Sequence, residues 1–227
     1  VILMPVEDAA SDDYLREIWD RGLPLVAVDR ELPHSHADFV GTDDEAGGRL
    51  AAEHLLQAGH RRLMHIAGPS FTSTGRLRRL GFEAAVREAG ATCTTLESPG
   101  FSAVPGEAAM ILRGPDAPTA VFCGNDWIAM QLYDLAASMG MRIPASLSVI
   151  GFGNLSAAAV KTPAITTFDQ TPIEVGREAA RLLLARLDDE IPEAETRKIR
   201  LPPQLVERAS VACSSPATIK PKKRGNT

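Results

Sequence analysis

An unbroken alternation of strand-length apolar runs with helix-patterned stretches constrains this chain more than any other feature. Runs at residues 1–4, 25–28, 63–67, 120–123, 148–152 and 165–168 read as buried strands, because each is short, apolar and closed by Pro, Gly or Asp. A further strand is expected at 92–96. Helical patterns lie between them, at 12–21, from Asp43 or Asp44 to Gly59, at 76–89 and from Pro105 through Leu112. Two more carry Ile128, Leu132 and Leu135 on one face, and Ile173, Gly176, Ala180, Leu183 and Leu187 in register after Pro172. Gly22, Gly59 and Gly90 stand where helices stop, and Pro105 and Pro172 where helices start. Such a series calls for parallel strands joined by right-handed crossovers, hence doubly wound α/β sheets and neither a sandwich nor a bundle. A last strand-like piece at 205–211 leads into residues 212–227, whose Pro, Lys and Gly content reads as a disordered tail.

Open parallel sheets bind ligands in the crevice outside the carboxyl ends of their strands. Within residues 118–154 two strands end there in small and polar residues, the first at Gly124, Asn125 and Asp126, the second at Gly153 and Asn154. Asn125 and the Gly153-Asn154 turn are therefore expected to face one cleft. Both Asn and Asp can supply the oxygen that satisfies an open amide in a first helical turn. Asp126 is assigned that cap and Asn125 the ligand.

Charge and composition exclude several functions. The 24 basic and 29 acidic residues leave a net charge of -5, which offers no overall field to attract nucleic acid or an anionic membrane. No run approaches the ~18 apolar residues that a membrane span needs. Cys93, Cys123 and Cys213 are odd in number and widely spaced, with Cys123 inside an apolar strand, so a reducing cytoplasm is expected. His34, Ser35, His36 and Asp38 resemble a metal cluster only in composition and read as a loop; no metal and no cofactor is expected. Gly151-Phe152-Gly153 lacks the third glycine of a dinucleotide fingerprint, and neither a P-loop nor a G-x-S-x-G elbow occurs, so no enzyme is expected. The KPKKR run at 220–224 would give only non-specific, salt-sensitive contact with nucleic acid.

Six segments carry a resemblance: HLLQAGHRRLMHIAGP from His54, then GFEAAVREAG, PTAVFCGND, SLSVIGFGN, TPAITTFDQ and LVERAS. In that order, across residues 43–210, they resemble the LacI/GalR family of transcriptional repressors. The resemblance implies a sensor core of the type I periplasmic-binding-protein-like fold, with two doubly wound parallel-sheet subdomains and a small effector between them. The first subdomain would comprise 1–39 and 171–192 and be incomplete. The second would comprise 40–170 and 193–211. A helix-turn-helix head and two further βα units would precede Val1 in a longer parent, and only that head would touch operator DNA.

Residue by residue, Arg78 matches the family arginine that donates hydrogen bonds to the effector, and Phe101 an aromatic that stacks on it. Asn125 matches the amide that hydrogen-bonds it, and Gln170 lies in the crossover near the pocket. Gly153 departs from the family, where an Asp usually offers a carboxylate to sugar hydroxyls; Asn154 or a bound water is left to substitute. The implied protein is a homodimeric, cytoplasmic regulator that senses a sugar or related metabolite. The alternative is a periplasmic-type sugar-binding protein serving transport or chemotaxis.

Overall fold

The computed structural model describes residues 1–5, 13–32, 37–192 and 195–214. Two parallel four-stranded sheets organise them. The first contains β1 (Ile2–Leu3), β2 (Val26–Val28), β3 (Asp38–Thr42) and β9 (Lys198–Leu201), in the order β1-β2-β3-β9. The second contains β4 (Arg62–Ala67), β5 (Thr92–Glu97), β6 (Ala120–Cys123) and β7 (Ser148–Ile150), in the order β5-β4-β6-β7. A short antiparallel pair, β8 (Thr167–Asp169) with β10 (Gln204–Val206), adjoins the second sheet, where Thr166 bridges to Ile150.

Helices cover both sheets, as parallel strands require. On the first, α1 (Asp13–Asp20) places Leu15 with Leu25 and Ala37, while α7 (Pro172–Leu187) packs Ala179 and Leu182 on Val26 and Val40. On the second, α2 (Asp44–Gln57) and α3 (Ser73–Glu88) cover one face with Leu55, Phe82 and Val86 against Leu63 and Phe122. The helices α4 (Ala108–Arg113), α5 (Asp126–Ser138) and α6 (Ser156–Ala159) cover the other, with Leu112, Ile128, Leu132 and Ala158 around Met64, Ile66 and Val121. Close approach of α2 to α3 depends on glycine: a Cβ on Gly48 would stand 2.0 Å from the Arg78 carbonyl oxygen, and one on Gly81 1.9 Å from that of Glu45.

The sheets differ from the expected division at two places. Residues 40–42 and 193–211 were assigned to the second subdomain. Instead β3 and β9 pair through Phe39↔Lys198 to Thr42↔Leu201 inside the first sheet, and the chain returns to the second from β10 onward, where the Val149 amide donates to the Ser210 carbonyl. The physical reason is Ile199, which turns inward to the α7 cluster while Lys198 and Arg200 pair with Glu31 at the surface. The chain thus passes between sheets after β3, after β8 and between β9 and β10. The α3 helix also starts earlier than its apolar pattern, at Ser73, because the Thr72 hydroxyl accepts the Gly75 amide and caps it.

His34, Ser35 and His36 lie outside the described residues, as does the stretch from residue 215 onward that includes KPKKR. Asp38 is described: both of its carboxylate oxygens accept from Arg186, at 2.7 and 2.8 Å. Among the described residues no helix is long and apolar enough to cross a membrane.

Candidate functional site

The second sheet changes winding direction between β4 and β6, since the chain leaves β4 toward β5 on one side and returns to β6 on the other. The carboxyl ends of these two strands form its crevice. Gly124 sits there because nothing larger fits: its amide donates to Ile66, and a Cβ would stand 2.6 Å from the Gly68 nitrogen. Arg78 reaches this point from the second turn of α3. Its Nη1 donates to the Gly124 carbonyl at 2.8 Å, its Nη2 to Gln170 Oε1 at 3.1 Å and its Nε to Asp44 Oδ1 at 2.7 Å. Its guanidinium lies 3.8 Å from the centre of the Phe152 ring. Arg78 is 7% exposed and Asp44 2%. Burial pushes the Asp44 carboxyl up to about 6, outweighing the pull of Arg78, with Asp29 and Asp43 adding repulsion.

Loop residues from the first sheet meet this crevice. Asp29 ends β2 with φ 64, a left-handed conformation in which a non-glycine side chain is strained. Beyond it, the guanidinium of Arg30 lies 4.5 Å over the ring of Phe101, and the Glu31 amide donates to Ser73 Oγ at 2.9 Å. Phe71 meets Phe101 edge-on with ring centres 6.1 Å apart. Thr42, ending β3, donates to the Gln170 carbonyl oxygen.

Of the five expected ligand residues, the structure brings Arg78 and Gln170 into direct contact and joins Phe101 to Asn125, whose Nδ2 donates to the Phe101 carbonyl at 2.7 Å. The cap expected of Asp126 is made by Asn125. Asn125 Oδ1 accepts the Ile128 amide at 2.9 Å and caps α5. Asp126 is fully buried and accepts from Thr167 Oγ1 at 2.6 Å and the Leu155 amide at 2.8 Å, which ties the β7 turn to β8. Burial raises the Asp126 carboxyl even so. Asn154 has φ 50 and spends both ends of its amide on protein, donating to Asp169 and accepting from Arg208. Gly153, with φ 130, holds the position where a Cβ would face Asp126 and Gln170 at 3.7 Å.

Other concavities of about 200, 410 and 550 Å³ open beside α3, between α5 and Lys161, and under residues 102–106; Arg78, Asn125 and Gln170 line none of them. No group of three or more His, Cys, Asp or Glu side chains suited to a metal occurs among the described residues.

Comparison with known proteins agrees with this architecture. The model of the periplasmic binding protein-like domain family matches residues 52–211. A LacI family transcriptional regulator from Enterococcus faecium, solved with bound ribose, superposes with a TM-score of 0.81 at 30% identity, covering 94% of this chain and 80% of that one. The chain belongs to the LacI family. A second LacI-family structure, from a Rhodococcus species, gives a TM-score of 0.78 at 31% identity, over 93% of this chain and 77% of that one. The HTH-type transcriptional repressor PurR of Erwinia tasmaniensis is 39% identical over 199 residues, which are 85% of this chain and 57% of that repressor. This LacI-family chain therefore spans little more than half the length of the curated relatives it matches.

Sequence reasoning missed Asp44, Asp29, Arg30, Phe71 and Ser73 as neighbours of the crevice. Asp29 and Arg30 carried a usable signal, since they close a strand at its carboxyl end. Asp44 carried none, because its partner Arg78 is 34 residues away.

Proposed function

We propose that this chain is the effector-sensing core of a LacI-type transcriptional regulator and acts as a binding protein. The observation that carries the reading is the convergence of Arg78, Gln170, Asn125 and Phe101 at the switch point of the second sheet, facing Arg30 and Asp29 from the first. A small effector held there would touch both sheets and so favour one arrangement of them, which is the differential affinity that any ligand-driven shift needs. Arg78 and Gln170 would offer hydrogen bonds and Phe101 a ring face. The ribose held by the Enterococcus faecium relative makes a sugar or related metabolite the first class to try. Contact with DNA would come from sequence outside residues 1–227, and a homodimer would present two such heads to one two-fold symmetric operator.

The intact regulator provides the test. Selection of bound DNA from a random library should return a two-fold symmetric consensus, and a sugar panel beginning with ribose should release it. Arg78→Ala should weaken the affinity for the active sugar by about 1–3 kcal/mol, the usual result of removing one partner of a buried hydrogen bond. Selection that returns no consensus would reject the regulator reading. An active sugar whose affinity is indifferent to Arg78→Ala would move the binding site elsewhere.

A further inference from the structure

Arg78 is held on three edges and one face, by Asp44, Gly124, Gln170 and the Phe152 ring. A guanidinium has five N–H donors, so these bonds leave two protons, one on each terminal nitrogen, for anything else. Its charge is also already matched. Asp44 is buried at the first position of α2, close enough to Asp29 and Asp43 for both to repel it. The cation across the crevice, Arg30, lies 3.6 Å from Asp29. A carboxylate or phosphate placed here would meet paired cations and an excess of carboxylates. A hydroxyl or carbonyl would need only the two spare protons.

We propose that Asp44 is the positioning and specificity-determining residue of this site: it fixes Arg78 against Gln170 and Gly124 and cancels its charge, so that the site accepts uncharged hydrogen-bond acceptors and rejects anions. The proposal rests on the reading of Arg78 as a ligand-facing residue. It carries a pH dependence whose sign is fixed. The groups facing the Asp44 carboxyl are Arg78 on α3, Asp29 at the end of β2 and the neighbouring Asp43, and burial keeps the carboxyl at about 6. Protonating Asp44 leaves the Arg78 cation unbalanced, so affinity for anions should rise as pH falls through that value.

The test follows the Arg78 Nε–H resonance of the intact protein by NMR, assigned by its loss in Arg78→Lys, with sulfate as the probe anion because its charge is constant over this range. In the wild type the resonance should titrate with a midpoint near 6 between about pH 7.5 and pH 5, and in Asp44→Asn it should not. At the upper pH, sulfate should shift that resonance in Asp44→Asn at about tenfold lower concentration than in the wild type, and Asp44→Glu should restore the wild-type response. Should Asp44→Asn fail to fold, the wild type alone decides, since its own sulfate response should sharpen about tenfold from pH 7.5 to 5. A resonance that ignores pH overturns the pairing. Equal sulfate responses in wild type and variant, or none in either, overturn the charge role. If both arms succeed while Arg78→Ala leaves sugar affinity unchanged, the pairing stands and the ligand-facing reading of Arg78 falls.

Discussion

The two sheets are held together by different physics. Both faces of the second are closed by continuous apolar clusters, one around Met64, Val121, Ile128 and Leu132, the other around Leu55, Phe82, Phe122, Phe152 and Phe168. Among the described residues the clusters of the first sheet are smaller: Val26, Val40, Ala179, Leu182 and Ile191 on one face, and Leu15, Leu25 and Ala37 on the other. Its connection between α7, β3 and the start of β9 is polar. Asp38, 3% exposed, accepts two bonds from Arg186 and one from the Arg197 amide, and Arg186 also donates to the Pro192 carbonyl. The difference teaches where a binding site can be built. Both halves bury charged groups only where they are paired, but the thick apolar core of the second holds Arg78, Asp44 and Asp126 together beside one crevice.

The largest effect should come from breaking the stronger side. Phe122 is fully buried, stacked on His65 with ring centres 4.7 Å apart and on Phe82 at 5.1 Å. Phe122→Ala should cost about 3–5 kcal/mol in urea denaturation, the usual range for a large buried aromatic. A loss below about 1 kcal/mol would mean that the cluster collapses around the gap and is not the rigid support assumed. Asp38→Ala probes the other side. It strands the Arg186 guanidinium, which is 11% exposed, and should cost about 3 kcal/mol, somewhat less than Phe122→Ala because water can reach the site. Should it cost as little as an exposed ion pair, the first sheet is held by its apolar clusters after all, and the contrast between halves disappears.

The same contrast decides what could be read from the sequence. Strands β4, β6 and β7 were legible because burial on both faces makes them uninterrupted apolar runs, such as Ala120-Val121-Phe122-Cys123. Strand β9 was not, because only one of its faces is buried and Lys-Ile-Arg-Leu looks like any solvated stretch until β3 is placed beside it. Asn125 and Asn154 became candidates because they follow strand ends, whereas Arg78, Phe101 and Gln170 became candidates only through the family resemblance; four of the five lie in two contacting pairs, Arg78 with Gln170 and Asn125 with Phe101. The α5 cap was assigned to Asp126 and not to Asn125 because both residue types can cap a helix. What separates them is burial, and the depth of Asp126 depends on Thr167, 41 residues later. Asn154 looked free for the same reason: Arg208, its partner, is 54 residues away.

A smaller effect tests that cap. Asn125→Ala removes the α5 cap and should cost about 1 kcal/mol of stability, whereas Asn125→Asp keeps an oxygen for the Ile128 amide and should recover most of it. Neither variant can donate to the Phe101 carbonyl, so both should loosen the 98–103 loop in hydrogen exchange. Equal losses in the two variants would show that the contact with Phe101, and not the cap, carries the stability.

The smallest effect at neutral pH becomes a slope in acid. His65 packs against the Phe82 and Phe122 rings, which also stack on each other; one ring nitrogen, Nδ1, is 3.0 Å from the Phe122 carbonyl oxygen, and Nε2 is buried with no hydrogen-bond partner. The carbonyl can only accept, so Nδ1 carries the proton of the neutral ring. Burial lowers the imidazole from 6.5 to about 4, against the opposing pull of that carbonyl. Between those values the unfolded chain binds the proton and the folded one does not, so this histidine removes stability as pH falls from 6.5 toward 4. Asp44 acts in the reverse direction over much of the same window, because its folded carboxyl titrates at about 6 against 3.8 unfolded and takes up its proton first in the folded state. In the wild type these two opposite slopes overlap, beside those of Glu31 and Glu83, whose lowered carboxyls also lose stability in acid. Replacing ring by ring, His65→Phe should change stability at pH 7 by less than about 1 kcal/mol. It removes the slope that the histidine contributes, so its urea midpoint should rise relative to wild type as pH falls from 6.5 to 4. Midpoints that fall in parallel for the two proteins would show that protonation of His65 does not limit the acid stability of the second sheet.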